Sequence, residues 1–419
     1  MKSLLIAVYL ARFAAGYLLR YLNLRNLRDH GSRVPAELAG ALDEQALAKS
    51  ARYTVEQSRV GLIQSVYDST LLLAFLFTPL LPLYDSWIGS LSGSFVIQGL
   101  LFMLILTWLQ SILEIPFSLY TTFRIEKRYG FNTTTPKLWL TDLLKSTLIS
   151  SLLLVILVAS ALLLVQHAPG LWWLWVWCFF ALFSLTMMYL SPALIEPLFS
   201  KFEPLGDPEL EEEIRRMLEA GGLQVKGVQK MDASRRSLHS NAYFTGIGRV
   251  KRIVLYDTLI KQMERPELLA ILAHEAGHWK KGHIRKRLWL TEGAALAVIF
   301  AVYLLIAWGG LPGLFGLGGS ASFAAQLLMV SFLLSVASFL LTPVASWLSR
   351  RNEWEADRFA AELSGHPEAL ASALVKLSRE NLANLHPHPL YASFYYSHPP
   401  VVARVARLLN KSVPAGREH

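Results

Sequence analysis

The chain has 419 residues, of which 53 % are hydrophobic and only 17 % charged, against about 25 % charged in an ordinary soluble domain. That deficit excludes a soluble globular protein and points to a membrane protein, and the net charge of +9, with no basic-aromatic nucleic-acid motif beside it, suits an anionic bilayer surface rather than DNA or RNA. A lone cysteine, Cys178, excludes an intrachain disulfide; it lies in an aromatic span with no His or Asp that would suggest catalysis, and reads as packing.

Seven stretches supply the roughly 20 apolar residues that a helix needs to cross a bilayer, at about 3–22, 61–84, 97–120, 146–166, 170–194, 287–309 and 323–347. The first follows Met1-Lys2 as a signal peptide would, but Arg12 interrupts it and no convincing small-residue cleavage site follows. It is expected to be retained. Loops 85–96, 167–169 and 310–322 lack Lys and Arg, whereas 23–60, 121–145, 200–286 and the tail after 347 carry nearly all the basic residues. By the positive-inside rule the N-terminus faces out and the C-terminus faces the cytoplasm. Asp68, Glu114, Glu196 and Glu292 lie in or near the spans, where an acid facing lipid is costly; Glu196 and Glu292 also suit a membrane interface.

These spans divide the chain into 1–196, with five of them; 197–286, hydrophilic; 287–347, with two more; and 348–419, hydrophilic again. In the first hydrophilic region Asp207-Pro208-Glu209 opens a helix that ends near Gly221-Gly222. Residues 225–231 are β-like, and 241–245 with 252–256 read as paired strands about a Gly246/Gly248 turn. A further helix has Pro266 in its first turn and an apolar face from Leu268, Leu269, Ile271 and Leu272. Neither hydrophilic region is large enough to fold comfortably alone. The expected fold is an α-helical multi-pass membrane protein with one cytoplasmic module, mainly α with a small β-sheet.

That last helix carries His274-Glu-Ala-Gly-His278. Residues four apart share a helical face, so both imidazoles can ligate one tetrahedral Zn²⁺. Glu275, beside the first ligand, is placed to take a proton from the water such a metal activates. A catalytic zinc site needs a third protein ligand. The segment Arg351-Asn-Glu353-Trp-Glu355-Ala-Asp357 offers Glu353 as that ligand and Asp357, four residues on, to hydrogen-bond a ligand imidazole. Glu355, about 200° around from Glu353, reads as a solvated charge, and His283, about 140° from His278, as a surface residue. A transporter with a structural metal site would suit the seven spans and internal acids, but it has no need of Glu275.

With these motifs the chain resembles the type I CAAX prenyl protease family of integral-membrane zinc endopeptidases. Further segments carry the resemblance from about 110 to 410: Ile125-Glu126 with Gly130-Phe-Asn132, Pro197-Leu-Phe with Phe202 and Pro204-Leu205, Ser237–Tyr243, Arg252–Asp257, and Ser397-His-Pro-Pro400. The resemblance implies seven helices around a water-filled chamber, one Zn²⁺ per chain, and a peptide or protein substrate, prenylated in the family's best-known cases. It implies that Asn241, Ala242 and Tyr243 belong to a strand whose edge pairs with the extended substrate. It also implies that His398 and Arg404 stabilise the oxyanion near the scissile bond. His239 falls in a matching segment without an assigned role. The short length and loops point to a bacterial member in the inner membrane, and the tail 414–419 shows no retrieval signal. General cleavage of membrane or misfolded proteins is then the alternative role, as in related membrane heat-shock zinc proteases, which have fewer spans.

Overall fold

The computed structural model describes residues 1–40, 42–245 and 250–409; the turn expected at Gly246/Gly248 and the tail from 410 lie outside them. In chain order the first half is α1 (Lys2–His30), α2 (Glu44–Phe77), α3 (Leu80–Leu91), α4 (Phe95–Tyr129), α5 (Pro136–His167) and α6 (Trp172–Phe199). The hydrophilic segment follows as β1 (Phe202–Pro204), α7 (Pro208–Ala220), β2 (Gln224–Met231), β3 (Ala242–Thr245), β4 (Val250–Tyr256), α8 (Asp257–Gln262) and α9 (Arg265–Lys280). Then come α10 (His283–Ala307), α11 (Leu311–Leu314), α12 (Phe323–Ser364), α13 (Pro367–Glu380), α14 (Pro389–Tyr395) and α15 (Val401–Leu408). Among the described residues seven helices, α1, α2, α4, α5, α6, α10 and α12, are long and apolar enough to cross a membrane.

Local chemistry sets where many of these helices start. Asp43, Ser94, Thr135, Asp207 and Ser322 each accept a hydrogen bond from the main-chain N–H three residues on, satisfying a donor that the helix leaves open. Two spans differ most from expectation. The second, expected at 61–84, begins at Glu44 and stops at Phe77. Pro79 disfavours helical backbone at Thr78, which is extended (φ −119°, ψ −179°), and the chain restarts as α3. The seventh, expected to end at 347, continues unbroken through Pro343 to Ser364, where Gly365 terminates it with φ 67°. Its 42 residues rise about 63 Å, roughly twice a bilayer's hydrocarbon core. One rod therefore serves as a span and as the carrier of Glu353 and Asp357.

Two π-helical segments, Thr121–Glu126 and Ser191–Ile195, interrupt α4 and α6 near their C-terminal ends. Each is followed at once, or closed, by a carboxylate that reaches the hydrophilic segment. Glu126 Oε2 stands 3.2 Å from His239 Nε2, and Glu196 Oε2 accepts a hydrogen bond from Tyr243 Oη at 2.8 Å.

The four strands lie in the order β1-β2-β4-β3, with β2 and β4 parallel and both outer pairs antiparallel. Ile214, Leu218, Ile253, Leu255, Leu259 and Leu272 form a core between the sheet and α7, α8 and α9, and Ala373 of α13 joins it. The two hydrophilic regions thus share one core. A separate core, built around Tyr9, Phe77, Phe102, Phe315, Met329 and Phe332, packs α1 to α4 with α11 and α12.

Candidate metal centre

A capping box of Glu264 and Glu267, with Pro266 behind it, starts α9, and Lys376 Nζ holds Glu267 from α13 at 2.8 Å. Ala270, Ala273 and Ala276 are fully buried, so the helix enters the interior on small side chains. At Gly277 it meets α12: a Cβ there would lie 3.0 Å from Ala356 Cα and 3.1 Å from Ala356 O. Any side chain would push apart the two helices that carry the candidate ligands.

This approach brings His274, His278 and Glu353 together, with their ligand atoms all within 4.8 Å of one another. His274 Nε2 lies 3.2 Å from His278 Nε2 and 3.4 Å from Glu353 Oε2, while Glu353 Oε1 lies 3.3 Å from His278 Nε2. Glu353 is 4 % exposed, and its Oε2 is buried with no hydrogen-bond partner. The two imidazole Nε2 atoms, 3.2 Å apart, have the spacing of two ligands on one ion with bonds of about 2.0–2.1 Å, the values for Zn²⁺ with His and carboxylate, and Glu353 turns one oxygen to each of them. The residues fit such a metal.

Asp357 sits one turn beyond Glu353, with Oδ1 at 2.8 Å from His274 Nδ1. Arg404 of α15 binds Asp357 in a fork, Nε to Oδ2 at 2.8 Å and Nη2 to Oδ1 at 2.6 Å. The resemblance implied an oxyanion role for Arg404, and the structure shows this fork to Asp357 beside that expectation. The side chain is 5 % exposed, two of its nitrogens are committed to Asp357, and Nη1 points to Glu353 Oε2 at 3.7 Å. His398 is placed differently. Its side chain is 61 % exposed and its Nε2 stands 3.4 Å from Glu353 Oε1, on the open side of the cluster. Arg350 anchors the segment that carries it, donating from Nη1 to Tyr396 O at 2.7 Å and Ala392 O at 3.3 Å.

Burial pushes the Glu275 carboxyl up from its ordinary pKa, against the lowering field of His274 and His278. Burial pushes His274 down, but the neighbouring carboxylates of Asp357 and Glu353 outweigh it and raise the metal-free group to about 9. The sign has two consequences. The stabilisation from charged His274 is fully present below the unfolded value near 6.5 and is lost as pH rises through about 9. A metal must displace that proton, so binding at pH 7 is expected to release it, with affinity rising up to about tenfold per pH unit until about pH 9. Calorimetry in buffers of different ionisation enthalpy measures the proton count; zero protons released at pH 7 would refute the linkage.

Two residues depart from expectation beside the ligands. His283 is 4 % exposed, not at the surface: Gly282 (φ 69°) breaks the helix after α9, and the 140° rotation assumed an unbroken one. Glu355 is not simply solvated; its Oε2 stands 3.2 Å from His283 Nε2. His239, unassigned in the sequence, stacks on Phe131 at 3.9 Å and faces Asn381 Oδ1 at 3.0 Å as well as Glu126. Glu126 in turn accepts from Tyr53 Oη and Gln57 Nε2, both at 2.7 Å, so this cluster ties α2 and α4 to the loop before β3.

Of the intramembrane acids, Glu292 is buried and accepts from Ser184 Oγ at 2.6 Å, Glu114 accepts from Gln110 at 2.9 Å, and Asp68 lines a cleft of ≈ 400 Å³ with Arg12 and Arg20. β3 is a sheet edge. Tyr256 N donates to Asn241 O at 3.1 Å, so by antiparallel alternation Ala242 and Phe244 turn their main-chain groups to the open side. Asn241 Oδ1 already takes the Ala242 N–H at 2.9 Å. The open groups therefore begin at Ala242 C=O and continue at Phe244.

The chain is similar to known proteins along nearly its whole length. Residues 23–201 match a family model described as CAAX prenyl protease N-terminal, five membrane helices, and residues 204–412 match Peptidase family M48. A CAAX prenyl protease 1 homolog of Arabidopsis thaliana is 35 % identical over 92 % of each chain. A probable CAAX prenyl protease 1 of Schizosaccharomyces pombe is 33 % identical, over 95 % of this chain and 84 % of its own. The crystal structure of S. mikatae Ste24p superposes with a TM-score of 0.89 at 29 % identity, over 97 % of this chain and 98 % of that one. The chain therefore belongs to the CAAX prenyl protease 1 family within peptidase family M48, and it is a multi-pass membrane metalloendopeptidase.

Proposed function

We propose that His274, His278 and Glu353 hold one Zn²⁺ per chain and that the enzyme cleaves prenylated proteins ending in a C-a-a-X motif, removing the last three residues. The donor set carries the metal assignment: two imidazoles whose Nε2 atoms are 3.2 Å apart, a buried carboxylate with its two oxygens 3.4 and 3.3 Å from them, and no thiolate. A Zn²⁺ held by these three residues would supply a Lewis acid able to acidify a water and polarise a carbonyl.

The chain's own residues do the rest. Glu275 accepts the proton of the attacking water and passes it to the leaving amine. His398, the exposed imidazole at the cluster, donates to the developing oxyanion. Asp357 accepts the Nδ1 proton of His274 and so presents Nε2 as the ligand atom, and Arg404 holds Asp357 in place. The substrate adds an extended strand to β3 through Ala242 C=O and Phe244, with Asn241 capping the first donor and Tyr243 fastened to Glu196.

The substrate class is supported by the names of the relatives and by the continuity of α12 from the membrane into the metal centre. The distribution of Lys and Arg supports a metal centre on the cytoplasmic side. The test is to compare purified protein on a farnesylated C-a-a-X peptide and on its unprenylated counterpart. Cleavage before the last three residues, faster by at least an order of magnitude for the farnesylated peptide, is the expected outcome. Equal rates on both would remove the prenyl group from the reading and leave general proteolysis.

A further inference from the structure

The metal reading uses Asp357 and Arg404 behind His274 but leaves the partners of His278 unused. His278 Nδ1 stands 3.1 Å from His283 Nδ1, and His283 Nε2 stands 3.2 Å from Glu355 Oε2. One proton assignment satisfies both contacts and keeps a lone pair on His278 Nε2. His278 donates from Nδ1, His283 accepts at Nδ1 and donates from Nε2, and Glu355 accepts. If His283 donated from Nδ1 instead, the remaining proton of His278 would sit on Nε2, the atom that faces His274 and Glu353.

We infer that His283 and Glu355 are positioning residues for the metal centre: they lock His278 in its Nδ1–H tautomer and aim Nε2 at the metal. The inference rests on the metal assignment above. It gives each histidine its own support. His274 is backed directly by a carboxylate that an arginine forks. His278 is backed by a neutral imidazole, with the carboxylate one residue further out. Burial lends weight to the arrangement, because His283 is 4 % exposed and a wrongly protonated ring there would leave a nitrogen unpaired away from water. The relay also joins three helices. His278 belongs to α9, His283 is the first residue of the membrane span α10, and Glu355 lies on α12, two residues past Glu353. The left-handed turn at Gly282 is what brings the first side chain of α10 back onto α9. The sixth span is thereby fastened to the metal site through a ligand's own hydrogen bond.

The test uses full-length protein in detergent, with Zn²⁺ affinity measured against a competing chelator and the visible spectrum of the Co²⁺-substituted form. His283→Ala is expected to weaken Zn²⁺ binding by about 10–100-fold and to alter the Co²⁺ spectrum. His283→Asn places an acceptor oxygen near the position of Nδ1 and is expected to recover most of that loss, which a purely space-filling role would not allow. Where the alanine variant does not fold, His283→Gln, with the same amide one bond further out, replaces it in the comparison. Glu355→Gln is expected to give a smaller loss in the same direction. Wild-type affinity and spectrum in His283→Ala, or no recovery in His283→Asn, would overturn the inference. A Glu355→Gln protein indistinguishable from wild type would overturn the part played by Glu355. Failure of the wild type itself to bind Zn²⁺ would instead overturn the metal assignment, and the relay with it.

Discussion

Glu275→Gln is expected to lower kcat by about 10²–10⁴-fold while one Zn²⁺ per chain stays bound. The substitution keeps the side chain's shape and its hydrogen-bonding reach but removes its ability to accept a proton. The metal ligands should be untouched, because Glu275 is not among the three side chains whose donor atoms converge. Its buried carboxyl, raised in pKa by that burial, is the type of group that can take a proton and give it back. Zinc content and steady-state cleavage on the same preparation separate the two effects. Loss of metal together with activity would make Glu275 a structural residue, and unchanged cleavage would exclude it as the base.

Asp357→Ala should act on stability and on metal binding together. Asp357 and Arg404 are 4 % and 5 % exposed and joined by a fork at 2.6 and 2.8 Å. Removing the acid strands a buried guanidinium, a change that costs about 3–5 kcal/mol when one partner of such a pair is lost. It also frees the His274 ring, and loss of that orienting partner should weaken metal binding by about 10–100-fold. The double variant Asp357→Leu, Arg404→Met removes both charges and is expected to be more stable than Asp357→Ala while binding metal as weakly. Denaturant unfolding and chelator competition measure the two quantities. A double variant no more stable than the single would show that the charge left behind is not what destabilises Asp357→Ala.

Much of this architecture was legible because it depends on local rules. A run of apolar residues long enough to cross a bilayer is visible without knowing any contact, and so is a pair of ligands four apart on a helix. Glu353 and Asp357 share a face by the same periodicity, whichever helix carries them. What the sequence hid depends on where helices stop. Pro79 ends α2 early, inside an apolar run that continues across it and hides the break. α12 gave no stop signal between its membrane half and its carboxylates, so a charged segment looked like a new beginning. His283 was lost for the opposite reason. Lys280-Lys281-Gly282 ends α9, and counting residues across that break as one helix turned a buried imidazole into a surface one. The π segments that precede Glu126 and Glu196 have no periodicity signal of their own, so the contacts of those acids with His239 and Tyr243 emerge only in three dimensions. Arg404 illustrates a further limit. Its presence near the site followed from resemblance, but its contact with Asp357 is set by how α15 packs on α12 and emerges only in three dimensions.

The most direct test of the central claim is a titration. Zinc is stripped from the purified enzyme with a chelator and returned in known amounts while peptide cleavage is followed. With His274, His278 and Glu353 as the one catalytic metal site, activity should be absent from the stripped protein, rise linearly with added Zn²⁺ and level off at one equivalent per chain. Full cleavage by the metal-free protein, or a rise that continues to two equivalents, would contradict it.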